Sequence, residues 1–316
     1  MKYTIIFMVC VAFVGLVSST VPTSEVETKI QLGEKLFFDP ILSKDSTISC
    51  SSCHRPELAF ADSVALSVGI NGQKGLRNAP SIMNMAFRGE FFYDGRAASL
   101  RDQIHFPIED PLEMGAPYHE IISRIKRHTK YSPYFKKIYG EEPNGENIAD
   151  AIASFEESLE TANTEFDAWM HDKPNSMSPA AIRGRELFLS DRAKCFDCHF
   201  SPDFTGDEFK NIGLFDGIKY NDKGRFMITK DDADIGKFKV PGLRNVAVTG
   251  PYMHDGSFKS LEDVIEYYSD PYSFVSKPIN MDPTLTKPIR FTEQEKSDLI
   301  AFLRSLTDRK FYKNRI

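Results

Sequence analysis

The sequence contains little cysteine and no excess of basic residues, and both shortages narrow what the chain can be. Its 316 residues include only 5 cysteines, and the formal net charge is −6. Proteins that bind nucleic acid carry a basic surface, so this charge argues against a nucleic acid partner. Cys10 lies close to the N-terminus, which leaves four cysteines to serve the folded chain.

Long apolar runs are also scarce, and the one at the N-terminus predicts export. Lys2 is followed by an apolar stretch over residues 3–17 and then by Ser18 and Ser19. This order is typical of a secretory signal peptide, which we place at residues 1–19. An uncleaved membrane anchor is the alternative, although about 15 apolar residues fall short of the ~20 that span a bilayer.

The four remaining cysteines fall into two copies of one pentad, Cys-x-x-Cys-His. The first copy contains Cys50, Cys53 and His54, and the second contains Cys195, Cys198 and His199. Two thiols three residues apart, followed at once by an imidazole, form the attachment motif of a c-type haem. The thiols bond to the porphyrin vinyl groups, and the histidine is the proximal ligand of the iron. The sequence therefore predicts two covalent haems and leaves no cysteine for a disulfide bond.

Two other interpretations of the pentads are a zinc site and a thioredoxin-like redox pair. A zinc site needs four clustered ligands instead of two widely separated sets, and a redox pair does not require the histidine. Haem attachment also agrees with the signal peptide, because c-type haems are attached outside the cytoplasm. The expected location is therefore the periplasm of a Gram-negative cell.

The two pentads belong to a longer internal repeat. The segment 33–37 before the first pentad is echoed by 184–188 before the second, and both segments have helical spacing. Downstream of the pentads, Gly-Leu-Arg-Asn occurs first at 75–78 and again at 242–245. A further match begins with Asp-Gly at 94 and 255, which gives a constant offset of 161 residues. The chain therefore contains two copies of one unit.

Helical signals dominate both copies. Apolar residues at helical spacing mark helices around 121–125 and 148–159, and Thr292 with Glu295 forms a capping box ahead of a terminal helix. No strand pattern of comparable length occurs. We therefore predict a mainly α fold of two cytochrome-c-like haem domains related by internal duplication.

A polar, proline-containing stretch at 171–179 separates the two copies, and Ser178 ahead of Pro179 is typical of a helix start. We place the N-terminal domain, with the first haem, at residues 20–172 and the C-terminal domain, with the second haem, at residues 173–316.

The repeat allows the sixth coordination positions of the two irons to be compared. Tyr268 lies on the apolar face of a predicted helix in the second half, while Tyr267 points about 100° away. Tyr268 is therefore the candidate sixth ligand of the second iron. At the offset of 161 its counterpart is Pro107, which has no side-chain donor, and Gln103 gives the same helix face a polar amide. We expect one closed iron and one open iron with a polar pocket above it.

These residues resemble the bacterial di-haem cytochrome c peroxidases, and within them the MauG-like branch, over essentially the whole mature chain. The resemblance is carried by both pentads and by segments 75–80, 92–97, 113–114 and 251–256. It implies two cytochrome-c-like domains with a Ca²⁺ between them, held through oxygen atoms by Asn78, Thr249 and Pro251. It also implies that Gln103 and Glu113 line the distal pocket of the peroxidatic haem, with Glu113 as general acid/base.

Three positions depart from the ordinary peroxidase pattern. The histidine that caps the peroxidatic iron at rest in ordinary members would fall in segment 67–72, where this chain has Ile70. Ordinary members ligate the second iron with Met, whereas Tyr268 matches the MauG-like branch, and an anionic phenolate lowers the reduction potential. Tyr93 replaces the tryptophan that usually lies between the haems, and we expect it to relay electrons.

The expected function is a secreted di-haem peroxidase that reduces hydrogen peroxide to water. Electrons would come from a small redox protein, a cytochrome c or a cupredoxin, and would enter through the second haem. One alternative is a MauG-like enzyme that oxidises a side chain of a protein substrate for cofactor maturation. The other is a non-enzymatic di-haem electron carrier. The sequence leaves the oligomeric state open, with a homodimer as one option.

Overall fold

The computed structural model describes residues 26–314, so the predicted signal peptide and Cys10 lie outside the described residues. The helices are α1 (Lys29–Phe38), α2 (Leu100–Glu109), α3 (Tyr118–Arg127), α4 (Tyr131–Tyr139), α5 (Gly145–Glu157), α6 (Glu165–Met170), α7 (Pro179–Phe188), α8 (Phe226–Thr229), α9 (Leu261–Ser269) and α10 (Glu293–Ser305). Strands β1 (Phe209–Lys210) and β2 (Phe238–Lys239) form a short antiparallel pair. The predicted mainly α fold is confirmed. Within residues 26–314, no helix combines the length and the apolar character that a bilayer crossing requires.

The helix starts follow the sequence signals. The Ser178 hydroxyl accepts a hydrogen bond from the backbone N–H of Ala181, which caps the first turn of α7. At α10, the backbone N–H of Glu295 donates to the Thr292 hydroxyl and the Glu295 carboxylate accepts from the Thr292 N–H. These bonds satisfy N–H groups that have no partner within the helix. Both predicted caps are confirmed.

Each half of the chain is built on one close helix crossing. In the first half α1 crosses α5, and a Cβ atom on Gly33 would overlap the carbonyl oxygen of Ala151. In the second half α7 crosses α10, and a Cβ atom on Gly184 would overlap the carbonyl oxygen of Asp298. In each half, a glycine therefore allows the backbones of the two crossing helices to come into contact.

An aromatic cluster lies beside each crossing. The first cluster consists of Phe37, Phe60 and Phe155, and the second consists of Phe188, Phe204 and Phe302. The rings of Phe37 and Phe155 lie 5.1 Å apart, and those of Phe188 and Phe302 lie 5.2 Å apart. Buried aromatic pairs at this spacing stabilise a core beyond their area alone. Two domains related by duplication are thereby confirmed.

The two apolar cores do not divide cleanly along the sequence. Phe166 of α6 precedes residue 172 but packs into the second core, beside Phe204 and Phe302. Phe311 follows the terminal helix but packs into the first core. The last residues of each half therefore pack into the core of the other half, and the division at 172 and 173 stays a prediction.

Charged side chains join the two halves. Arg77 binds Asp94 of its own half at 2.6 Å and Asp222 of the other half at 2.7 Å, with the guanidinium forming a two-point contact to Asp222. Nearby, the backbone N–H of Lys239 donates to the carbonyl oxygen of Tyr93 at 2.8 Å. Because these contacts are largely buried, they fix the relative position of the two halves.

Candidate active site

Both pentads adopt the same local backbone structure. Cys50–Ser52 forms a single 3₁₀ turn, and the N–H of His54 donates to the carbonyl oxygen of Cys50 at 2.9 Å. In the second half the N–H of His199 donates to the carbonyl oxygen of Cys195, also at 2.9 Å. The turn places the two thiols and the imidazole of each pentad in one compact loop. All four thiols are free of disulfide bonds.

A backbone carbonyl orients each imidazole. His54 Nδ1 lies 3.1 Å from the carbonyl oxygen of Phe60, and His199 Nδ1 lies 2.9 Å from that of Phe204. A carbonyl oxygen can only accept, so Nδ1 carries the proton in both rings and Nε2 keeps a free lone pair. Such a contact fixes the tautomer and direction of a metal-binding histidine.

The electrostatics of both pentads suit a neutral ligand. Burial lowers the pKa of His54 and His199, which keeps the imidazoles in the neutral form that binds iron. Burial also raises the pKa of Cys53 to about 11 and that of Cys195 to about 12. The thiols, the free Nε2 atoms and their apolar surroundings therefore fit two covalently bound haems.

The region next to the first pentad is built by α2 and the loop after it. Gln103 and Pro107 lie four residues apart on α2, so they share one face, and both are partly buried. The carbonyl oxygen of Pro107 accepts from the N–H of Met114 at 3.1 Å, which turns the chain back after the helix. The structure thereby brings Glu113, one residue before Met114, to the pentad thiols.

The Glu113 carboxyl is partly buried and acts electrostatically on Cys50 and Cys53. Burial raises the pKa of Glu113, the nearby charge of Asp110 raises it further, and Arg96 opposes both effects. The carboxyl therefore holds its proton to a higher pH than a solvated glutamate does, which is the direction that favours a general acid.

Ile70 lies in a loop that packs against the Glu113 backbone. Its N–H donates to the carbonyl oxygen of Glu113 at 2.8 Å, and its side chain is buried against Gly115. Gly115 has a φ of +61°, which glycine adopts at little cost, and a Cβ there would collide with Ile70. Segment 67–72, where ordinary members are expected to carry the capping histidine, therefore directs the apolar side chain of Ile70 into the protein.

Tyr268 lies beside the second pentad. Burial raises the pKa of its phenol, and the thiols of Cys198 and Cys195 are the groups that act on it electrostatically. Helical phase separated it from Tyr267, but Tyr267 is also inside: its ring is fully buried and its hydroxyl donates to the carbonyl oxygen of Ile212 at 2.7 Å. Leu261 and Ile265 of α9 face the second core, whereas Tyr267 and Tyr268 both pack in a further apolar cluster, so the quarter turn between the two tyrosines does not lead to solvent.

Comparison with known proteins agrees with this geometry. The family model "Di-haem cytochrome c peroxidase" matches residues 27–175, and a cytochrome c model matches residues 181–307. The methylamine utilization protein MauG of Methylorubrum extorquens is 37% identical, with 88% of this chain and 78% of that protein covered. This chain belongs to the di-haem cytochrome c peroxidase family.

Other relatives include both a peroxidase and a MauG-like protein. A cytochrome c551 peroxidase of Nitrosomonas europaea is 35% identical, with 90% of this chain and 81% of that protein covered. The crystal structure of a MauG-like protein associated with microbial copper homeostasis superposes with a TM-score of 0.80 and 34% identity, covering 90% of each chain. The chain is therefore an oxidoreductase of the cytochrome c peroxidase type with two haems.

Tyr93 is the residue that the sequence leads us to expect between the haems. This residue lies where the two halves meet, its backbone carbonyl bonded to Lys239, and burial raises the pKa of its phenol. Its counterpart at the offset of 161 is His254, whose ring stacks on Phe238 with centroids 3.8 Å apart. A hydrogen bond from the N–H of Asn78 to the carbonyl oxygen of His254, at 2.8 Å, joins the two halves at a further point.

Of the residues expected to bind calcium, Asn78 lies at this seam, and Thr249 and Pro251 lie in the segment that leads to His254. The amide nitrogen of Asn78 donates to the carbonyl oxygens of Val64 and Ala65, which directs its Oδ1 atom elsewhere. Thr249 and Pro251 lie just before His254, which contacts Asn78 through the backbone. In the described part of the chain, no three His, Cys, Asp or Glu side chains cluster as a metal site. A cation here would therefore bind to amide and backbone oxygens.

Two features of the site escaped the sequence analysis. The carbonyl groups of Phe60 and Phe204 are set by backbone conformation, with φ of 57° and 56°, and any residue supplies a carbonyl. No sequence signal could have found them. Glu156 did leave a signal, because this acid stands between Phe155 and Leu159 in an apolar helical pattern, and the structure buries it.

Proposed function

We propose that this chain is an exported, periplasmic di-haem peroxidase that reduces hydrogen peroxide to water with electrons from an external one-electron donor. The observation that carries the proposal is the position of Glu113, a partly buried carboxyl whose charge acts on both thiols of the first pentad. Cleavage of the O–O bond needs a group that moves a proton between the two oxygens. One peroxide, two protons and two electrons give two molecules of water.

The residues around the first pentad have separate roles in the proposed reaction. The haem held by Cys50, Cys53 and His54 supplies the iron at which the O–O bond is cleaved. Glu113 accepts the proton of one peroxide oxygen and delivers it to the other, and its raised pKa suits both directions of transfer. The Gln103 amide orients the peroxide by donating a hydrogen bond.

Two residues leave this site open. Pro107 offers no side-chain donor on the face of α2 that it shares with Gln103. Ile70 is turned into the protein against Gly115 and carries no ligand atom. We therefore assign peroxide binding to the first site, without a preceding step that removes a capping group.

The second site is assigned to electron entry. His199 and Tyr268 would hold its iron, and Tyr93, at the seam between the halves, would relay electrons to the first site. The donor is a small redox protein of the cytochrome c or cupredoxin type. A basic carrier suits a chain with a net charge of −6, because opposite charge speeds encounter.

We also propose that a Ca²⁺ holds the seam through Asn78, Thr249 and Pro251. The Asn78 side chain is fixed by hydrogen bonds to Val64 and Ala65, which leaves Oδ1 available as a ligand. Amide and backbone oxygens are hard ligands of the kind that Ca²⁺ prefers.

A second candidate function is MauG-like oxidation of a protein side chain. The proximity of the Tyr268 phenol to Cys195 and Cys198 favours it, because phenolate ligation lowers the reduction potential of a haem and stabilises its oxidised states. The two functions share the first site and differ in the reductant. In this version the electrons come from the side chain of a protein substrate and not from a small carrier.

The proposal is tested by steady-state peroxide reduction with a reduced cytochrome c or cupredoxin. Glu113→Gln removes the carboxyl and keeps its size, and turnover should fall by about 10² to 10⁴ with both haems retained. Glu120→Gln is the matched control, because Glu120 is an exposed acid on α3, and it should leave turnover unchanged. Full activity of Glu113→Gln would refute the proposed role of this carboxyl.

A further inference from the structure

Glu156 is a buried acid that the proposed reaction does not use. It lies in the last turn of α5 and is only 5% exposed. Among residues 26–314, neither a hydrogen-bond donor nor a cation is one of the groups that act on the electrostatics of its carboxyl. Burial disfavours an unpaired carboxylate, so such a carboxyl is neutral unless another group offsets the cost of its charge.

The position of Glu156 in the helix adds to this cost. The C-terminal end of a helix carries partial negative charge, which disfavours an anion there. The last turn of α5 contains no basic residue that could offset it. Burial, with a smaller contribution from the charge of Glu157, raises the pKa of Glu156 to about 8.

The internal duplication provides a comparison within the same molecule. Phe155 and Phe302 both contact the glycine at the helix crossing of their half, so the residues that follow them, Glu156 and Leu303, correspond. Leu303 is also 5% exposed and belongs to the second apolar core. The fold therefore accepts an aliphatic side chain at this position, and packing alone does not require an acid in the first half.

Glu156 lies next to the first haem-attachment loop. Among the charged groups that act on the Cys50 thiol, Glu156 has the largest effect, ahead of Cys53 and Glu113. Cys50 itself packs against the first apolar core, which contains Phe155. Cys50 would bond to the porphyrin and would not be a ligand of the iron, so the Glu156 carboxyl acts on the point where a haem would be attached.

The charged groups around Glu156 are few. The helices α1, α2 and α3 pack on α5, and none of their described titratable residues acts on the Glu156 carboxyl. Glu157, on the same helix, is the one charged group among the described residues that acts on it, and Glu156 in turn acts on the Cys50 thiol of the attachment loop. A haem attached at Cys50 would add a further charge close to this carboxyl.

We propose that Glu156 is the redox-linked proton carrier of the first haem site, protonated when that site is reduced and ionised when it is oxidised. When the site loses an electron to peroxide, the O–H bond of the Glu156 carboxyl breaks and the proton passes to water. When the donor returns the electron, the carboxylate takes up a proton from water. Each electron transferred is thereby balanced by a proton, and no charge accumulates in the apolar core.

This inference rests on haem attachment at the first pentad and does not depend on the donor or on peroxide turnover. It is tested by spectroelectrochemical titration of both haems in the complete holoprotein, from about pH 6 to about pH 10, which brackets a pKa of about 8. The midpoint potential of the first haem should fall as the pH rises. The limiting slope is about 59 mV per pH unit, the tenfold step of a one-electron couple.

Glu156→Gln should remove this pH dependence from the first haem and leave the second haem unchanged. Glu157→Gln is the matched control, since Glu157 is the adjacent acid but exposed, and it should keep the slope of the wild type. An equal slope in Glu156→Gln and the wild type would overturn the proposal. Infrared difference spectra give an independent readout: oxidation should remove the carbonyl band of a protonated carboxyl, and Glu156→Gln should lack this change.

The reciprocal substitution extends the test to the second half. Leu303→Glu places a carboxyl at the corresponding position and should make the potential of the second haem depend on pH. A folded Leu303→Glu variant with a pH-independent second haem would contradict the proposal. If this variant loses its haem, the comparison of Glu156→Gln with Glu157→Gln still decides the question.

Discussion

The Nδ1 atom of His199 donates a hydrogen bond to the carbonyl oxygen of Phe204 over 2.9 Å, and the same bond joins His54 to Phe60. Because the carbonyl group comes from the backbone, the direction of each imidazole is fixed by the fold and not by a neighbouring side chain. The duplication therefore preserves the orientation of the imidazole in both pentads, and any difference between the two sites has to come from other residues.

The first prediction concerns haem content. The double variant Cys195→Ala/Cys198→Ala should carry one covalent haem where the wild type carries two, because each pentad holds its haem independently. Mass spectrometry of the mature protein checks this directly. Retention of two covalent haems in the double variant would contradict the assignment of the second pentad.

The second prediction concerns the pH profile of peroxide cleavage. The charge of Asp110 contributes to the raised pKa of Glu113, so Asp110→Asn should lower that pKa. Since Glu113 must be ionised to accept the first proton, the acid limb of the rate profile should move to lower pH. Asparagine keeps the Oδ1 atom that accepts from the N–H of Leu112, so the loop should persist. A shift to higher pH would contradict the role of Glu113 as the base.

The third prediction concerns Tyr268. Tyr268→Met should raise the reduction potential of the second haem, because a neutral thioether stabilises the oxidised iron less than a phenolate does. Tyr268→Phe should change the absorption spectrum of the same haem. Redox titration and absorption spectroscopy measure both effects.

Tyr272→Phe is the control for Tyr268, since Tyr272 is a more exposed tyrosine just beyond α9. Tyr267 is not suitable as a control, because it is buried and its hydroxyl donates to the carbonyl oxygen of Ile212. Tyr267→Phe would remove this hydrogen bond and lower the free energy of unfolding by about 1 kcal/mol, which would complicate the comparison. If Tyr268→Phe left the spectrum and potential of the second haem unchanged, the sixth ligand would have to be another residue.

The fourth prediction concerns the seam between the halves. The Arg77 side chain is 18% exposed and binds both Asp94 and Asp222. Arg77→Ala should lower the free energy of unfolding by about 1 to 3 kcal/mol, because it leaves the partly buried Asp222 carboxylate without its cation, whereas Asp94 keeps its pair with Arg96. Arg304→Ala removes an exposed pair with Glu262 and should cost less than about 1 kcal/mol. Denaturant titration compares them, and equal losses would contradict the importance of the seam.

The sequence predicted those parts of the molecule that depend on local chemistry. The pentads, the cap at Ser178 and the capping box at Thr292 each need particular side chains at short spacing, and the structure contains all of them. The repeat in the sequence also pairs Tyr268 of the second half with Pro107 of the first half.

Features that depend on long-range packing were not predictable in this way. The burial of Tyr267 follows from a second apolar cluster supplied by distant segments, which helical phase does not report. The bond from Arg77 to Asp222 joins residues 145 positions apart in the sequence. The carbonyl groups that orient His54 and His199 depend on backbone angles alone.

The first site is proposed to be open and the second closed, and rapid mixing with peroxide distinguishes these two states. The fully oxidised protein, as isolated and without any reductant, is mixed rapidly with one equivalent of hydrogen peroxide while absorption spectra are recorded. Because Ile70 and Pro107 provide no capping ligand, we predict a high-spin ferric signal before mixing and an immediate reaction with no lag. A purely low-spin ferric spectrum, with reaction only after prior reduction, would contradict the account.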